Sequence, residues 1–315
     1  MIEGRAQRLA FGEELVELID RNPRVIVLDG DLANSTRADI VAEKCPDHFL
    51  EMGIAEQNMV GVAAGLASVG FIPFISTFAA FSAKRDLDQI RIVVAQPGLH
   101  VIVTGAYSGI QTGKTGKTHQ SVEDITIFRA MPNMTVIVPA DDIEVRKAMN
   151  ALVMENDGPA YLRLTRDPYK QVFNEEYEFK IGKAIVFREG SDVALIGTGE
   201  QSIRCLEAAD MLDAEGIHAY VLHLPTIKPL DEQAILEAAK RTHHVVTAED
   251  HSIIGGLGGA VAEVLSEGYP TPLKRIGWRD VYGESAPNAP LMEKYGLTPK
   301  HIAKAACSLI DKNNN

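Results

Sequence analysis

Hydrophobic residues occur along this chain in two alternating patterns. Short continuous runs such as 25–28 are typical of buried strands, and runs with helical spacing such as 11–19 are typical of helices packed on a core. The predicted strands are 25–28, 71–75, 99–104, 135–138, 160–164, 193–197, 218–222, 244–247 and 274–277. The main predicted helices are 11–19, 53–69, 79–94, 142–154, 201–213 and 232–240. Strands that alternate with helices predict a parallel sheet covered by helices on both faces.

The periodicity stops once, between residues 167 and 180, where Pro168 and Tyr169 fit neither pattern. With 315 residues, 46% of them hydrophobic, the chain is long enough for two cores. We therefore predict an α/β fold of two consecutive, mostly parallel α/β sheet domains. The first covers residues 1–168, a linker covers 169–190, and the second covers 191–315. The last residues, 311–315, are expected to form a polar tail.

Composition narrows the function classes. A net charge of -12 and a pI near 5.2 argue against sequence-independent nucleic-acid binding, because no row of Lys and Arg is present to neutralise phosphates. Cys45, Cys205 and Cys307 lie far apart, which favours a cytosolic protein with incidental thiols. No transmembrane-length apolar run or signal pattern is visible, so we expect a soluble, cytoplasmic chain without membrane contact. Residues 2–5, IEGR, match a protease-cleavage sequence and are expected to have no structural role.

One carboxylate stands at the start of the most apolar predicted helix. A helix that is apolar all the way round is buried, so Glu56 in the helix 53–69 is expected to be desolvated. Desolvation raises a carboxyl pKa by roughly 3 to 5 units, whereas a helix N-terminus favours the charged form by at most about 2 kcal/mol. Glu56 is therefore a candidate for holding or sharing a proton at neutral pH. The alternative, of equal weight, is a first-turn glutamate that accepts hydrogen bonds from free backbone N–H groups.

Two glycine-rich segments look like nucleotide loops but have the wrong spacing. The run GKTGKT at 113–118 contains GKT twice, but a Walker A loop needs a glycine five residues earlier, where Ser108 and Gln111 stand. The glycines at 255–259 do not fit GxGxxG, which argues against a nicotinamide oxidoreductase. No His/Cys cluster has metal-ligand spacing, so we expect no metal held by this chain alone.

Three side chains near strand ends are candidates for substrate contact. His119 ends a loop at 105–119 that looks mobile, and it can exchange protons with a substrate hydroxyl or carbonyl. A surface histidine on a flexible loop is the more common case. Arg163 and Arg166 lie at the end of the strand 160–164. Their guanidiniums are suited to binding phosphate or carboxylate, and exposed arginines without a ligand are an equally plausible reading. The four remaining histidines of interest are interpreted as structural: His223, His243, His244 and His251.

Several motifs in register resemble the C-terminal half of transketolase. They are DGDL at 29–32, GIAEQNM at 53–59, STF at 76–78, GKTHQ at 116–120, LTR at 164–166 and YGES at 282–285. The resemblance covers nearly the whole chain and implies a pyrimidine-binding domain followed by the transketolase C-terminal domain. The other half of the family, which holds the diphosphate of thiamine diphosphate and Mg²⁺ through a GDG…N motif, is missing. The resemblance therefore implies one subunit of a split transketolase, working as α₂β₂ with a separate N-terminal subunit that ligates most of the Mg²⁺.

The resemblance also implies roles in cofactor binding. Glu56 matches the glutamate that bonds N1′ of the aminopyrimidine and so promotes proton loss from the thiazolium C2. Phe78 and Phe81 match the side chains that stack on the pyrimidine ring. Asp31 and Leu32 match positions that support the thiazolium across the subunit interface.

Substrate contacts follow from the same resemblance. His119 matches the histidine that contacts the carbonyl and hydroxyl region of the donor, and Arg8, Ser35 and Arg166 match positions that hold the sugar phosphate. The implied reaction moves a two-carbon ketol unit from a ketose phosphate to an aldose.

Two departures from the family pattern bear on the substrate. Thr115 stands where the family usually has an aspartate that reads donor stereochemistry. A family histidine that helps to bind phosphate is not obvious near residues 105–107, where Tyr107 is found, and Lys114 or Lys117 is a candidate substitute. An unusual donor such as apulose 4-phosphate is therefore a hypothesis beside the usual pentulose phosphate.

Other readings of the chain stay open at this point. The nearest are other thiamine-diphosphate enzymes: a deoxyxylulose-phosphate synthase-like fragment or the β-subunit of a 2-oxo-acid dehydrogenase. A non-catalytic α/β partner that has kept the fold is a rival from a different class.

Overall fold

The computed structural model describes residues 2–313 and the side chains of residues 2–311. The strands are β1 Ile2–Glu3, β2 Val25–Asp29, β3 Phe49–Glu51, β4 Ile72–Phe78, β5 Ile102–Ala106, β6 Thr135–Ile137, β7 Ala160–Arg163, β8 Lys170–Gln171, β9 Ile185–Arg188, β10 Val193–Gly197, β11 Ala219–His223, β12 Thr226–Lys228, β13 Val245–Ser252 and β14 Leu273–Trp278. The α-helices are α1 Gln7–Arg21, α2 Ala33–Thr36, α3 Asp39–Lys44, α4 Glu56–Ser68, α5 Ala79–Ser82, α6 Leu87–Gln89, α7 Asp124–Ala130, α8 Asp142–Met154, α9 Glu200–Asp213, α10 Glu232–Thr242, α11 Leu257–Gly268, α12 Asn288–Lys294 and α13 Pro299–Asn313. The first part of the predicted polar tail therefore continues α13, while residues 314 and 315 lie outside the described part.

Two sheets form the centres of two α/β units. The first sheet has seven strands in the order β12-β6-β7-β5-β4-β2-β3, and all its pairs are parallel except β12 with β6. The second has five strands in the order β14-β13-β10-β11-β9, and all its pairs are parallel except β11 with β9. The predicted fold class is confirmed. The central strands β2, β4, β5 and β10 are buried on both faces, which explains their continuous apolar runs.

Three segments contribute pairings that the hydrophobic pattern did not indicate. β1, which lies in the segment expected to have no structural role, pairs antiparallel with β8. β8 and β9 both fall within the predicted linker 169–190. β12 comes from the second half of the chain but adds an edge strand to the first sheet. These short strands carry too few residues to show a period, and long-range pairing determines them.

The predicted helix 79–94 is broken into three pieces. α5 ends at Ser82, α6 begins at Leu87, and a π-helix follows over Ile90–Ala95. In a π-helix the N–H groups reach one residue further back than in an α-helix, so it accommodates an extra residue and often occurs at functional sites. The break leaves Lys84, Arg85 and Asp86 in an irregular segment beside α4.

The helix that starts at Glu56 is buried on one side only. α4 packs Met59, Val60, Ala63 and Ala64 into the core, while its other side is exposed along Gln57, Asn58, Gly61, Gly65 and Ser68. Val69, directly after α4, is 72% exposed. The prediction of a helix buried all round is therefore wrong for the single chain. Low polarity cannot distinguish burial inside a chain from burial against another chain.

No helix within residues 2–313 has the length and apolar character that a membrane crossing needs.

Candidate active site

The carboxyl ends of the parallel strands bring the predicted site residues to one edge of the first sheet. β2, β4, β5 and β7 lie side by side, and they end at Asp29, Phe78, Ala106 and Arg163. Open α/β sheets bind ligands at this edge, because the loops that follow the strands converge there. The loops carry residues 30–35, 79–86, 107–119 and 164–167.

Asp29 fixes the first of these loops. Its Oδ1 accepts a hydrogen bond from Leu32 N at 2.6 Å, and its Oδ2 accepts one from Thr36 Oγ1 at 3.3 Å. Burial raises the pKa of Asp29 to about 6, although the Leu32 N–H offsets part of that shift. The turn places Leu32 on the aromatic side chains described below and leaves Asp31 exposed with a left-handed φ of 64°.

Glu56 is buried and paired. It is 4% exposed, and with Ile54, Asn58 and Arg85 it lines an open cavity of about 470 Å³. Its Oε1 lies 2.5 Å from Arg85 Nη1. The expected burial of Glu56 is found, and its partner is the Arg85 cation. No hydrogen bond from a free backbone N–H to this carboxylate, the alternative expectation, is found in the described part of the chain.

Arg85 links Glu56 to the aromatic residues, and Asp86 lies beside the pair. The Cζ of Arg85 is 3.8 Å from the centroid of the Phe81 ring. Asp86 is fully buried, and neither of its carboxyl oxygens accepts a hydrogen bond from another residue in the described structure. Burial first, and then the charge of Glu56, raise the pKa of Asp86 to about 8; its own backbone N–H and Arg85 offset only part of this. The raised pKa of Asp86 favours a protonated carboxyl group beside the Glu56–Arg85 pair.

An aromatic cluster follows Arg85 along the sheet edge. The rings of Phe78 and Phe81 lie 5.6 Å apart, and Tyr107 stacks on Phe78 with centroids 4.3 Å apart. His119 contacts both phenylalanines edge-on, at 5.4 Å from Phe81 and 6.0 Å from Phe78. Its Nδ1 is 2.8 Å from Thr118 Oγ1, so the imidazole is oriented by that hydroxyl. A flat aromatic ligand and a polar group reacting next to it would both find contacts here.

Two arginines close the far end of the cluster. Arg8 donates from Nη1 to Ser35 O at 2.9 Å and to Tyr107 Oη at 3.2 Å, and from Nε to Arg166 O at 3.2 Å. Arg166 donates from Nη1 to Thr112 O at 3.4 Å. Both guanidiniums lie over Tyr107, with Cζ 5.6 Å (Arg8) and 5.2 Å (Arg166) from its ring centroid. Two cations held together in this way could bind an anion, and we refer to Arg8 and Arg166 as the anion-binding end.

The loop 105–119 is held by the second domain. Ile110 N donates to both oxygens of Asp250 at 3.1 Å, and Ser285 Oγ donates to Lys114 O at 2.5 Å. Residues 105–113 are buried, whereas the prediction was a mobile-looking loop. Thr115 turns its hydroxyl back to Thr112 O at 3.0 Å, while Lys114 and Lys117 are exposed. The two domains therefore fix the position of His119 together.

The structure brings most of the predicted site residues into one band. The contacts run from Glu56 through Arg85 to the aromatic cluster and on to the two arginines. The predicted residues in contact along this band are Arg8, Leu32, Ser35, Glu56, Phe78, Phe81, His119 and Arg166. Asp31 lies beside it, and its N–H donates to Glu51 Oε1 at 3.0 Å.

Arg163 does not belong to this band. Its guanidinium is 4% exposed and forms a two-bond ion pair with Asp124, at 2.7 and 3.2 Å. Neither the ligand-binding nor the exposed reading of Arg163 is correct. Its partner lies 39 residues away in sequence, which no local pattern could indicate.

Two members of the band were missed as site residues by sequence reasoning. Arg85 follows Phe81 by four residues, a spacing at which a cation can lie over a ring. Tyr107 directly follows β5, at the strand edge where ligands bind. Both signals were present in the sequence but are individually weak.

Family models match the chain over both halves. The model described as "Transketolase, pyrimidine binding domain" matches residues 3–171, and that described as "Transketolase, C-terminal domain" matches residues 182–302. The chain belongs to the transketolase family. The predicted resemblance is confirmed.

Individual transketolase-family relatives are similar over nearly their whole length. A protein of Clostridium sp. (strain MSTE9), named 6-deoxy-6-sulfo-D-fructose transketolase subunit SqwH, is 43% identical over 98% of this chain and 95% of its own. A protein of Phocaeicola vulgatus, named as one of the subunits of an apulose-4-phosphate transketolase, is 36% identical over 98% of both chains. A solved structure described as "Split gene transketolase, inactive beta4 tetramer" has a TM-score of 0.91 at 46% identity, covering 98% of this chain and 99% of that one.

Membership of the transketolase family implies dependence on thiamine diphosphate, and the site fits one end of that cofactor. An aminopyrimidine is a flat ring with polar ring nitrogens, and it needs aromatic faces and a carboxyl partner. Phe78 and Phe81 supply the faces, and Glu56 supplies a buried carboxylate at the mouth of an open cavity. The Oγ1 of Thr77, before Phe78, is buried without a hydrogen-bond partner in the described structure.

The metal end of the cofactor has no counterpart in the described part of this transketolase-family chain. Residues 2–313 contain no group of three or more His, Cys, Asp or Glu side chains placed to hold a metal ion. The ligation of Mg²⁺ by a partner subunit stays a prediction.

Proposed function

We propose that this chain is the C-terminal subunit of a two-chain transketolase. With a separate N-terminal subunit it moves a two-carbon ketol unit from a ketose phosphate to an aldose acceptor, using thiamine diphosphate and Mg²⁺. The observation that carries the proposal is the buried Glu56 carboxylate, which lines an open cavity together with Arg85. Arg85 also lies over the ring of Phe81, which pairs with Phe78. This arrangement suits the binding of an aminopyrimidine ring. A non-catalytic partner protein, which only packs against another chain, would not need it.

The residues of this chain act on the pyrimidine end of the cofactor. When bound, thiamine diphosphate supplies a carbon nucleophile that takes the two-carbon unit from the ketose. Glu56 bonds a ring nitrogen of the pyrimidine and shares a proton there, while Arg85 holds the carboxylate in place. Phe78 and Phe81 exclude water from the ring, and Asp31 and Leu32 support the thiazolium side.

The remaining site residues act on the donor. His119, oriented by Thr118, contacts the carbonyl and hydroxyl region of the ketose and holds or releases a proton there. Arg8, Ser35 and Arg166 bind its anionic end. Similar relatives are named for different donors, a sulfofructose and apulose 4-phosphate, so overall similarity leaves the donor open. Thr115, which stands where the family usually has an aspartate, makes an unusual donor such as apulose 4-phosphate a hypothesis beside the usual pentulose phosphate.

An α₂β₂ assembly with the N-terminal subunit completes the enzyme. Large apolar side chains stand exposed beside the candidate site and along the elements that follow it. Ile54, in the cavity lining, is 71% exposed, Val69 at the end of α4 is 72% exposed, and Ile92 in the π-helix is 43% exposed. Apolar residues exposed in this number favour a protein partner. The similar solved structure is described as an inactive tetramer of β chains, which supports the need for a second subunit. Residues 1–168 and 191–315 act in it as the pyrimidine-binding and C-terminal domains, in the cytoplasm.

The test is turnover by this chain co-expressed with the N-terminal subunit from the same genome. Donors are xylulose 5-phosphate, apulose 4-phosphate, 6-deoxy-6-sulfofructose and pyruvate, each with an aldose acceptor, thiamine diphosphate and Mg²⁺. We expect turnover of at least one ketose by the complex and none by this chain alone. Glu56→Gln in the complex is expected to lower turnover by about 100-fold or more, the range that one proton-transfer group contributes.

Glu17→Gln is the control, because Glu17 is exposed on α1, away from the sheet edge. It is expected to leave turnover unchanged. Full turnover by the purified chain alone, or by a complex carrying Glu56→Gln, would contradict the proposal. Use of pyruvate in place of ketoses would favour the deoxyxylulose-phosphate synthase-like or 2-oxo-acid dehydrogenase reading, and complex formation without any turnover would favour a non-catalytic partner.

A further inference from the structure

Tyr107 occupies a strained and fully packed position at the anion-binding end. It follows β5 directly and has a left-handed φ of 55°, a conformation that is disfavoured for a residue with a bulky side chain. Its ring is 5% exposed and stacks on Phe78 at an interplanar angle of 22°. Surrounding contacts must hold such a residue in place, and strain of this kind clusters at binding sites.

The ring of Tyr107 lies between two like charges. The guanidiniums of Arg8 and Arg166 are both within 5.6 Å of its centroid, and their attraction to the ring face offsets part of their mutual repulsion. The hydroxyl of Tyr107 accepts a hydrogen bond from Arg8 at 3.2 Å. Tyr107 therefore sets the position of both cations. It contacts Arg8 through its ring face and its hydroxyl, and Arg166 through its ring face.

Donor groups at this end are left without partners. The Nη2 atoms of Arg8 and Arg166 make no hydrogen bond within residues 2–311. Arg166 Nε is buried and also lacks a hydrogen bond, with the nearest carboxylate oxygen of Asp167 at 3.8 Å. The Tyr107 hydroxyl still has its own proton to donate, since toward Arg8 it acts as the acceptor. Several charge-assisted donors thus remain available to one ligand.

We propose that Tyr107 is a specificity-determining residue, which positions Arg8 and Arg166 and donates a hydrogen bond from its hydroxyl to the terminal tetrahedral anionic group of the donor. This rests on the proposed function. The shared chemistry is that of a phosphate ester or a sulfonate. Both carry three terminal oxygens, which match a phenol hydroxyl and two guanidiniums.

The test compares Tyr107→Phe with the unmodified chain in the co-expressed complex. Tyr107→Phe keeps the stacking on Phe78 and removes only the hydroxyl. Tyr220→Phe is the matched control, because Tyr220 is 7% exposed, has Arg241 5.2 Å from its ring centroid and lies on β11 of the second sheet. The donors are a ketose phosphate, a ketose sulfonate and the uncharged ketose erythrulose.

Tyr107→Phe is expected to raise KM about 10-fold for whichever anionic donor is used, with kcat changed less than about twofold, since hydrogen bonds to charged groups are among the strong ones. KM for erythrulose and all constants of Tyr220→Phe are expected to stay the same. An effect on the phosphate donor alone assigns the site to phosphate, and an effect on the sulfonate alone assigns it to sulfonate. Unchanged KM for both anionic donors overturns the inference and leaves the proposed function intact.

A binding measurement keeps the two proposals separable where no donor is turned over. Calorimetric titration of the complex with inorganic phosphate and with sulfate is expected to give about 10-fold weaker binding in Tyr107→Phe than in Tyr220→Phe. That pattern supports the role of Tyr107 even when the proposed reaction fails. Equal anion binding by the two variants, or none by the unmodified complex, overturns it.

Discussion

Arg163 offers the sharpest test of how the two domains are held together. It ends β7 in the first sheet, and its Nη2 donates to the backbone oxygen of Asp250 in β13 of the second unit at 2.9 Å. Its two bonds to Asp124 lie in the interior, where Asp124 is fully buried and also accepts from Tyr161 Oη at 2.7 Å. Replacing Arg163 by Met keeps an unbranched side chain, which is shorter than arginine, and removes the guanidinium and its charge.

The magnitude follows from burial. Removing one partner of a buried ion pair costs about 3 to 5 kcal/mol, because an uncompensated charge is left inside. The unpaired backbone oxygen of Asp250 adds roughly 1 kcal/mol. We therefore expect Arg163→Met to lower the free energy of unfolding by about 4 to 6 kcal/mol at pH 7. Arg5→Met is the control, since Arg5 and Glu13 form a pair at 2.7 Å with both side chains at least 40% exposed, and such pairs contribute at most about 1 kcal/mol.

The sign of the pH dependence is a second check. Burial on its own raises the pKa of Asp124, but Arg163, His251 and the hydrogen bonds from Arg163 and Tyr161 hold it below its ordinary value. The ionised form thus contributes stability that is present above the unfolded pKa near 3.9 and is lost as the pH falls through the lower folded value. In Arg163→Met the buried carboxyl can take a proton, so the gap to the unmodified chain should narrow from pH 7 toward pH 4.

Urea unfolding followed by circular dichroism at pH 7 and pH 4.5 measures both quantities. Adding Asp124→Asn to Arg163→Met should recover part of the loss, because the buried charge is gone. A loss for Arg163→Met no larger than that for Arg5→Met, or a gap that widens toward low pH, would refute this reasoning.

Two further predictions concern Asp86 and Gly109. Asp86→Asn should remove the part of the pH dependence that comes from Asp86. Because its pKa is raised to about 8, Asp86 makes the unmodified chain lose stability as the pH rises from about 4 to 8. Urea unfolding should therefore show a larger advantage of Asp86→Asn at pH 9 than at pH 5, and equal differences would contradict this. Gly109→Ala should lower the melting temperature, because φ is 69° and a Cβ would lie 2.1 Å from Asp250 Oδ2. Gly61→Ala, where a Cβ meets nothing within 4 Å, should raise it by the equivalent of about 0.5–1 kcal/mol, and similar melting temperatures for the two variants would speak against the packing described here.

The elements with strong local signals could be predicted from the sequence. The helix predicted at 142–154 and the strand predicted at 193–197 have the same bounds in the structure, α8 and β10. α8 has helical spacing along its whole length, and the side chain of Asp141 accepts a hydrogen bond from Glu144 N at its start. The prediction of one continuous helix over 79–94 failed, because composition does not reveal the extra residue that a π-helix accommodates.

Partners distant in sequence account for the errors at the site. Glu56 looked like an isolated carboxylate because Arg85 lies 29 residues later, and Arg163 looked like a ligand-binding residue because Asp124 lies on another element. The loop 105–119 looked mobile because its anchor, Asp250, is 140 residues from Ile110. In each case the chemical character of the residue was interpreted correctly, but the local sequence pattern contained no sign of its distant partner.

The same reasoning bears on the exposed side of α4. Its low polarity led to the expectation of burial, and the structure leaves Gly61, Gly65 and Val69 facing outward. These residues begin beside Glu56, where Ile54 is also exposed. A buried carboxylate bordered by exposed apolar residues is what a site closed by a second chain would show before assembly. The sequence pattern of α4 is then consistent with burial in the assembled enzyme that we propose, in which the N-terminal subunit covers this side and closes the cavity over the cofactor.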